Sequence, residues 1–180
     1  DFEVVLSKIK NNIDDDDFIA LNFDYDETVW LGTNNGLYSY TNDIWRVFTT
    51  QNSSLPNNHV WSIVVDNQNK KWIGTKKGIV TITDDGWVLF NKRNTPLKTN
   101  IIKSIVCDGY DRVWVSTEKG VISYEGDSWR KYRLKKQRSL IINLFVDAFD
   151  NKWIHTSNNI IVFNDEGVEF KNNITNENSV

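Results

Sequence analysis

A spacing of 42 residues runs through this chain. Asp24, Asp66 and Asp108 are 42 apart, and so are Trp30, Trp72 and Trp114, Gly36, Gly78 and Gly120, and Trp45, Trp87 and Trp129. Phe48, Phe90 and Tyr132 keep the same step. Five columns sharing one period constrain the chain to a stacked array of like units, each too small to bury its own apolar face alone. A fourth unit follows after 39 residues, with Asp147, Trp153, Asn159 and Phe163 in the matching places. Val168 stands where its outer Trp would be, so this last copy is degenerate.

Each unit predicts four short strands, a to d. In the second they are Val60–Val65, Lys71–Thr75, Gly78–Ile82 and Gly86–Phe90, all rich in β-branched and aromatic residues and separated by turn residues. Composition supports this reading. The 180 residues hold two Ala (Ala20 and Ala148) and no Met, while Phe, Trp and Tyr reach 13%. Strong helix formers are scarce and strand-favouring aromatics plentiful, which excludes a helical solenoid of similar period. A four-stranded unit of this length is the size of a propeller blade.

The turns carry their own signals. Asp66…Asn69, Asp108…Asp111 and Asp147…Asp150 mark the a–b turns, with Glu27 in the first unit, and Asn42-Asp43, Asp84-Asp85, Gly126-Asp127 and Asp165-Glu166 mark the c–d turns. Asp, Asn and Gly suit tight turns through local hydrogen bonds and tolerance of positive φ. The Gly36/Gly78/Gly120 column has Asn159 as its fourth member. Because Asn is the non-glycine residue that best tolerates the left-handed region, all four positions are expected at φ > 0.

At these residues the chain resembles the two-component-regulator propeller repeat. That family's pattern is roughly Asp-x-x-Gly-x-x-Trp-x-Gly-Thr-x-x-Gly-Leu, an aromatic and a turn, then Trp-x-x-Phe and a linker similar to Asn-x-Ser-x-Leu-Pro-x-Asn. The core stands here as Trp30–Leu37 and Trp72–Ile79, and with drift as Trp114–Val121 and Trp153–Ile160; Asn52–Asn57 matches the linker. The first Gly of the pattern is Glu27, Asn69, Asp111 and Asp150 instead. The resemblance covers residues 18 to about 170. It implies the sensing domain of a bacterial membrane-spanning regulator, periplasmic or extracellular, where polysaccharide fragments are the ligands. The family's larger members add blades, helices and kinase domains, so for these 180 residues it implies only the sensing or scaffolding half.

The expected architecture is an all-β propeller of four four-stranded blades, alone or as part of a larger or oligomer-completed ring. Residues 1–17 form a leading strand and loop, 18–59 blade 1, 60–100 blade 2, 101–140 blade 3, 141–171 blade 4 and 172–180 a polar tail. Phe2–Leu6 aligns with the d strands and Val168–Phe170 offers another, giving five d candidates for four blades. If the ring closes within one chain, residues 2–6 pair beside 160–163. With neither an initiator Met nor a charged-then-apolar leader, Asp1 reads as the start of a mature chain or of a cut piece. Ala20, Ser62, Ser104 and Asn143 share a column on strand a, small or polar where blades converge, and that column reads as structural.

Strand alternation puts the b–c and d–a loops on one face and the a–b and c–d turns on the other. Loops of the first face vary between blades (Asp14–Asp17, Asn57-Asn58-His59, Lys92-Arg93-Asn94, Lys135-Lys136-Gln137-Arg138), whereas the acidic turns repeat. Varied polar loops on a repeated frame are where recognition resides. Trp61 has no equivalent in the other units. The ligand-binding candidates are therefore Asn34, Trp61, Lys76, Arg93 and Lys119. The recurrent Trp columns read instead as packing between blades.

Other chemistry finds little support. His59 and His155 fall on the first face without a third ligand of useful spacing, so no metal and no cofactor is expected. Cys107 lies in an apolar column and reads as buried and inert. Asp14–Asp17 reads as a hydrated charge run, and the bases among Arg130–Arg138 as a solvated edge that discourages strand-to-strand aggregation. A formal charge of −3 gives no reason to expect nucleic acid, and no apolar run approaches the roughly 20 residues of a spanning helix, so no direct membrane insertion is expected. No carboxylate pair faces the inner column, so no enzyme activity is expected. The resulting expectation is a non-enzymatic ligand-sensing module for a carbohydrate or other polar small ligand. The alternatives are a protein-interaction scaffold, with a protein partner or self-association, and thirdly a glycan-degrading enzyme.

Overall fold

The computed structural model describes residues 18–132 and 139–163, together with the backbone of Glu169–Phe170. Phe2–Leu6, Asp14–Asp17, Arg133–Arg138, Asp165-Glu166 and Val168 lie outside the described residues. The rest forms sixteen strands in four antiparallel sheets, each in simple sequence order. Blade 1 is β1 (Phe18–Phe23), β2 (Val29–Thr33), β3 (Leu37–Thr41) and β4 (Ile44–Phe48). Blade 2 is β5 (Val60–Val65), β6 (Lys71–Thr75), β7 (Gly78–Thr83) and β8 (Gly86–Phe90). Blade 3 is β9 (Ile102–Cys107), β10 (Val113–Thr117), β11 (Gly120–Glu125) and β12 (Ser128–Tyr132). Blade 4 is β13 (Ile141–Val146), β14 (Lys152–Thr156), β15 (Ile160–Phe163) and the two-residue β16 (Glu169–Phe170). β16 takes the place beside β15 that residues 2–6 were allowed. Among the described residues no helix is long and apolar enough to cross a membrane.

The first strand of each blade packs against that of the next: β1 on β5, β5 on β9 and β9 on β13. Alternation then decides which residues meet. One face of each first strand turns toward the preceding blade, so Ile63, Ile105 and Leu144 are buried at 7%, 3% and 0%, while Leu21 in blade 1 is 49% exposed. The other face turns toward the following blade. There Ser62 Oγ accepts the Ile105 N–H at 2.9 Å and donates to its carbonyl at 3.3 Å, and Ser104 Oγ donates to the Leu144 carbonyl at 3.1 Å. The small polar column thus staples one blade to the next.

Three mixed clusters fill the joints. Trp30, Leu37, Ile63, Ile73 and Val80 lie between blades 1 and 2, with Phe48 and Trp87 against them. Trp72, Ile79, Ile105 and Val115 lie between blades 2 and 3, and Trp114, Val121, Leu144 and Phe163 between blades 3 and 4. Trp72 and Trp114 are fully buried, and Trp72 packs on Phe90, Tyr124 and Trp129 with ring centroids 5.0–6.2 Å apart. Gly32 and Gly74 admit the neighbouring blade closely: a Cβ there would sit 2.6 Å from Val60 Cγ1 and 2.8 Å from Ile102 Cγ2.

The four Asp residues of the a–b turns act alike. Oδ1 accepts the N–H groups two and four residues on, and Oδ2 accepts the indole N–H six residues on, at 2.9, 2.8, 2.7 and 2.8 Å for Trp30, Trp72, Trp114 and Trp153. Where the family pattern has Gly, Glu27, Asn69, Asp111 and Asp150 all adopt φ of 59–62°, the left-handed conformation that such a Gly serves. Three of these side chains also reach back one blade, accepting N–H bonds from Tyr25, Asn67 and Gly109. The glycine's replacement therefore adds a joint.

One expectation is corrected. Gly36, Gly78 and Gly120 have φ of 154, 129 and 154°, but Asn159 is not among the residues with positive φ. This region differs from the left-handed helical one that Asn tolerates, and it is essentially restricted to Gly. The fourth blade nevertheless keeps the bond that Thr33, Thr75 and Thr117 donate to the Gly carbonyls of the other three. Thr156 Oγ1 donates to the Asn159 carbonyl at 2.8 Å and accepts its N–H at 2.9 Å.

Candidate functional site

In all four blades the register of the first two strands slips by one residue near the start of the inner strand, leaving Ile19, Trp61, Lys103 and Ile142 unpaired. Such a bulge re-aims the side chain it carries. Two of the four bulge residues are apolar repeats of one another, and the other two, Trp61 and Lys103, are neighbours. Lys103 Nζ lies 4.8 Å from the Trp61 ring centroid, and Lys76 Nζ, from the b–c tip of blade 2, lies 5.2 Å from it. His59, ending the link into β5, has its ring 6.5 Å from the indole in an edge arrangement, and its Nδ1 is 2.8 Å from Asn34 Oδ1 on the b–c tip of blade 1. With that oxygen as acceptor the imidazole proton sits on Nδ1. Asn34, His59, Trp61, Lys76 and Lys103 are each half-buried and together span three blades on the b–c and d–a face.

Of the five residues singled out from sequence, the structure thus brings together Asn34, Trp61 and Lys76. Lys119 is elsewhere. It lines a cavity of about 610 Å³ on the same face, with Leu97, Lys98, Glu118, Lys131 and Tyr132. Arg93 is exposed on the link between blades 2 and 3, where its backbone N–H donates to Asn91 Oδ1 at 2.8 Å. The d–a links are also less varied than expected. Asn52 and Asn94 each bond a backbone N–H three residues back and a carbonyl five residues back, and Asn58 and Asn100 each accept an N–H eight residues back. Leu55 and Leu97 anchor both links in the joints. Asn58 and Asn94 are therefore framework, not recognition loops.

Sequence reasoning missed His59 and Lys103. Lys103 carried a signal, being the one charged member of a column otherwise made of Ile19, Trp61 and Ile142. From sequence His59 reads only as part of the varied link Asn57-Asn58-His59, because its contact with Asn34 depends on how two blades dock.

The remaining reactive groups are quiet. Cys107 is half-buried rather than buried, and burial, reinforced by the charges of Asp66, Asp111 and Asp108, pushes its thiol up to about 12. Among the described residues no group of three or more His, Cys, Asp or Glu could hold a metal ion. His155 is exposed on β14.

Comparison with known proteins adds a matching repeat and a set of structural neighbours. Residues 54–77 match the family model described as two component regulator propeller. This stretch includes His59, Trp61 and Lys76, so three members of the cluster sit within the matched repeat. Curated protein sequences give no match. Solved structures with the same fold include virginiamycin B lyase from Staphylococcus aureus, 18% identical with a TM-score of 0.72 over 92% of this chain and 59% of that one. They also include the extracellular domains of two proteins from B. thetaiotaomicron described as hybrid two component systems. These are 23% and 22% identical, with TM-scores of 0.71 and 0.70, over 81% and 84% of this chain and 21% of each of theirs. The chain therefore spans about three-fifths of the lyase and a fifth of each extracellular domain. The chain is an all-β propeller array in which residues 54–77 match the two-component-regulator propeller repeat.

Proposed function

We infer that the chain is a non-enzymatic recognition module of an extracytoplasmic sensor, and that it binds a carbohydrate at the Trp61 cluster. The observation that carries this reading is the bulge that lifts a single Trp out of the strand ladder, beside hydrogen-bonding groups from two further blades. A half-buried indole flanked by fixed polar groups suits a sugar, whose C–H face stacks on the ring while its hydroxyls find donors and acceptors. The matched repeat and the extracellular neighbours support a location outside the cytoplasmic membrane. A binding role is favoured over catalysis because the inner column holds Ala20, Ser62, Ser104 and Asn143, and the recurrent Asp carboxylates are already engaged by indole and backbone donors. The test is a glycan array followed by thermal-shift titration. Trp61→Ala should abolish the hit with little change in melting point, and Asp84→Asn on the opposite face should leave binding intact. Asp127 is the poorer control, since it accepts the Tyr124 hydroxyl at 2.7 Å. Turnover of a polysaccharide by the purified chain would instead favour an enzyme.

A second reading, a protein-interaction scaffold, rests on the aromatic and aliphatic side chains left exposed at the two ends of the array. These include Phe23 and Tyr25 on blade 1 and Phe145 and Phe149 on blade 4. Co-purification of a protein partner without any glycan response would favour it.

A further inference from the structure

We propose that the ligand taken at the Trp61 cluster is an anionic oligosaccharide, one bearing carboxylate or sulfate groups, rather than a neutral one. This rests on the carbohydrate reading above and adds the charge class.

Half-buried Lys70 lies over two rings, those of Trp72 and Tyr124, whereas the two buried lysines are each ion-paired. Lys71 reaches back one blade to Asp24 at 3.0 Å, and Lys152 reaches back to Asp108 at 3.2 Å; both cations are buried and both are answered by a carboxylate. Lys76 and Lys103 are not. Among the described residues neither has an ion pair, and the contact each makes is with the π face of one shared indole. Glu118, which holds the blade 3 place corresponding to Lys76, lines the separate cavity with Lys98, Lys119 and Lys131. Two ammonium groups that share a single ring repel one another, and the quadrupole of one Trp offsets that only in part. An anion placed between them removes the repulsion and gains two charge-assisted hydrogen bonds.

Position argues the same way. Lys103 sits at a bulge whose counterparts in blades 1 and 4 are Ile19 and Ile142, so it is a charge in a column otherwise held by apolar side chains. The molecule as a whole is acidic, with a formal charge of −3 and a pI near 5.4. A local pair of half-buried cations without a carboxylate partner among the described residues is thus set against the overall field, and attracts an anion to one point. Trp61 supplies the apolar platform, and the Asn34-held His59 ring leaves Nε2 to hydrogen-bond a sugar hydroxyl.

Isothermal titration calorimetry with four probes tests this: tetragalacturonate, its methyl ester, a sulfated oligosaccharide of similar length, and a neutral xylo-oligosaccharide. The acidic probes should bind at least about tenfold more tightly than the ester and the neutral sugar, the worth of roughly one charge-assisted hydrogen bond. Raising salt to about 0.5 M should remove most of the difference. The relative strength of the carboxylated and sulfated probes distinguishes the two sources. Lys76→Gln with Lys103→Gln should cancel the preference while leaving any neutral-sugar binding, and Trp61→Ala should weaken all four. Acid and ester binding equally, or an unaltered preference in the double variant, would overturn the charge class but leave the carbohydrate reading standing. Binding of none of the probes or of any arrayed glycan would overturn both. Because Lys76 alone is a tip residue, Lys76→Gln keeps the test valid if the double variant fails to fold.

Discussion

The carboxylate of Asp108 gathers donors from three elements. It takes two backbone N–H bonds, the Trp114 indole N–H, and the charges of Arg112 at 2.8 Å and Lys152 at 3.2 Å. Burial alone would raise its pKa, but these donors outweigh that and hold it below the usual carboxylate value; Asp24 behaves alike through Trp30 and Lys71. Asp147, held by Asn151 and Trp153, is lowered to about 2. A carboxyl whose folded pKa lies below its unfolded value near 3.8 stabilises the fold fully above that value and loses its contribution as pH falls through the folded one. Melting temperature should therefore be flat from neutral pH down to about 4 and fall between about 4 and 2. Asp108→Asn should lower stability by about 3 kcal/mol in urea unfolding at neutral pH, since it removes a buried carboxylate 3.2 Å from the fully buried Lys152 ammonium. A variant as stable as the parent would mean that the pair is not a joint. Gly78→Val should also destabilise, by about 1–3 kcal/mol, because φ is 129° and a Cβ would lie 2.6 Å from the Phe90 carbonyl oxygen. An unchanged melting point there would refute the turn argument. The same residue shows what a sequence can carry. The Gly column was legible because φ > 0 leaves a trace in composition, but Asn159 misled, since the letter does not say which positive-φ region is meant.

At the level of the strand, period and alternation were enough. Predicted strands Val60–Val65, Lys71–Thr75 and Gly86–Phe90 coincide with β5, β6 and β8, because apolar alternation and turn residues are local properties. The bulges were not legible. A bulge at residue 61 changes which neighbours a side chain meets without changing the local pattern of letters, so Trp61 was found by its singularity and Lys103 not at all. Arg93 and Lys119 were grouped with Trp61 because loop order gives the face but not the distance within it. The inner strands also show how a blade is fixed to its neighbour. Ser62 bridges both the N–H and the carbonyl of Ile105, so Ser62→Ala should lower stability by about 1–2 kcal/mol, an N–H in the joint being left without a partner. Hydrogen exchange should show the Ile105 amide losing protection more than its neighbours. Equal protection in the variant would mean that water or a shifted strand replaces the hydroxyl.

Across the whole array, the faces that would meet further blades are the exposed ones. Leu21 and Phe23 on blade 1 are each 49% exposed and Phe145 on blade 4 is 52% exposed, although the residues at their positions in interior blades are covered or half-covered. The purified 180-residue chain should therefore associate as concentration rises, visible as growth in weight-average mass by light scattering. Phe23→Ser with Phe145→Ser should suppress that growth, and a concentration-independent monomer in the parent would refute the idea. The joints themselves are not all of one kind. Lys71 and Lys152 lead β6 and β14, while Val29 and Val113 lead β2 and β10, so ionic joints occur between blades 1 and 2 and between 3 and 4, with an apolar place between them. Tyr40 with Trp45 and Tyr124 with Trp129 repeat on that doubled step, and so do the paired positive-φ turns Asn42-Asp43 and Gly126-Asp127. The repeating unit of the joints is then a couplet, and adding or removing two blades keeps every lysine opposite its aspartate, whereas a change of one blade breaks the alternation.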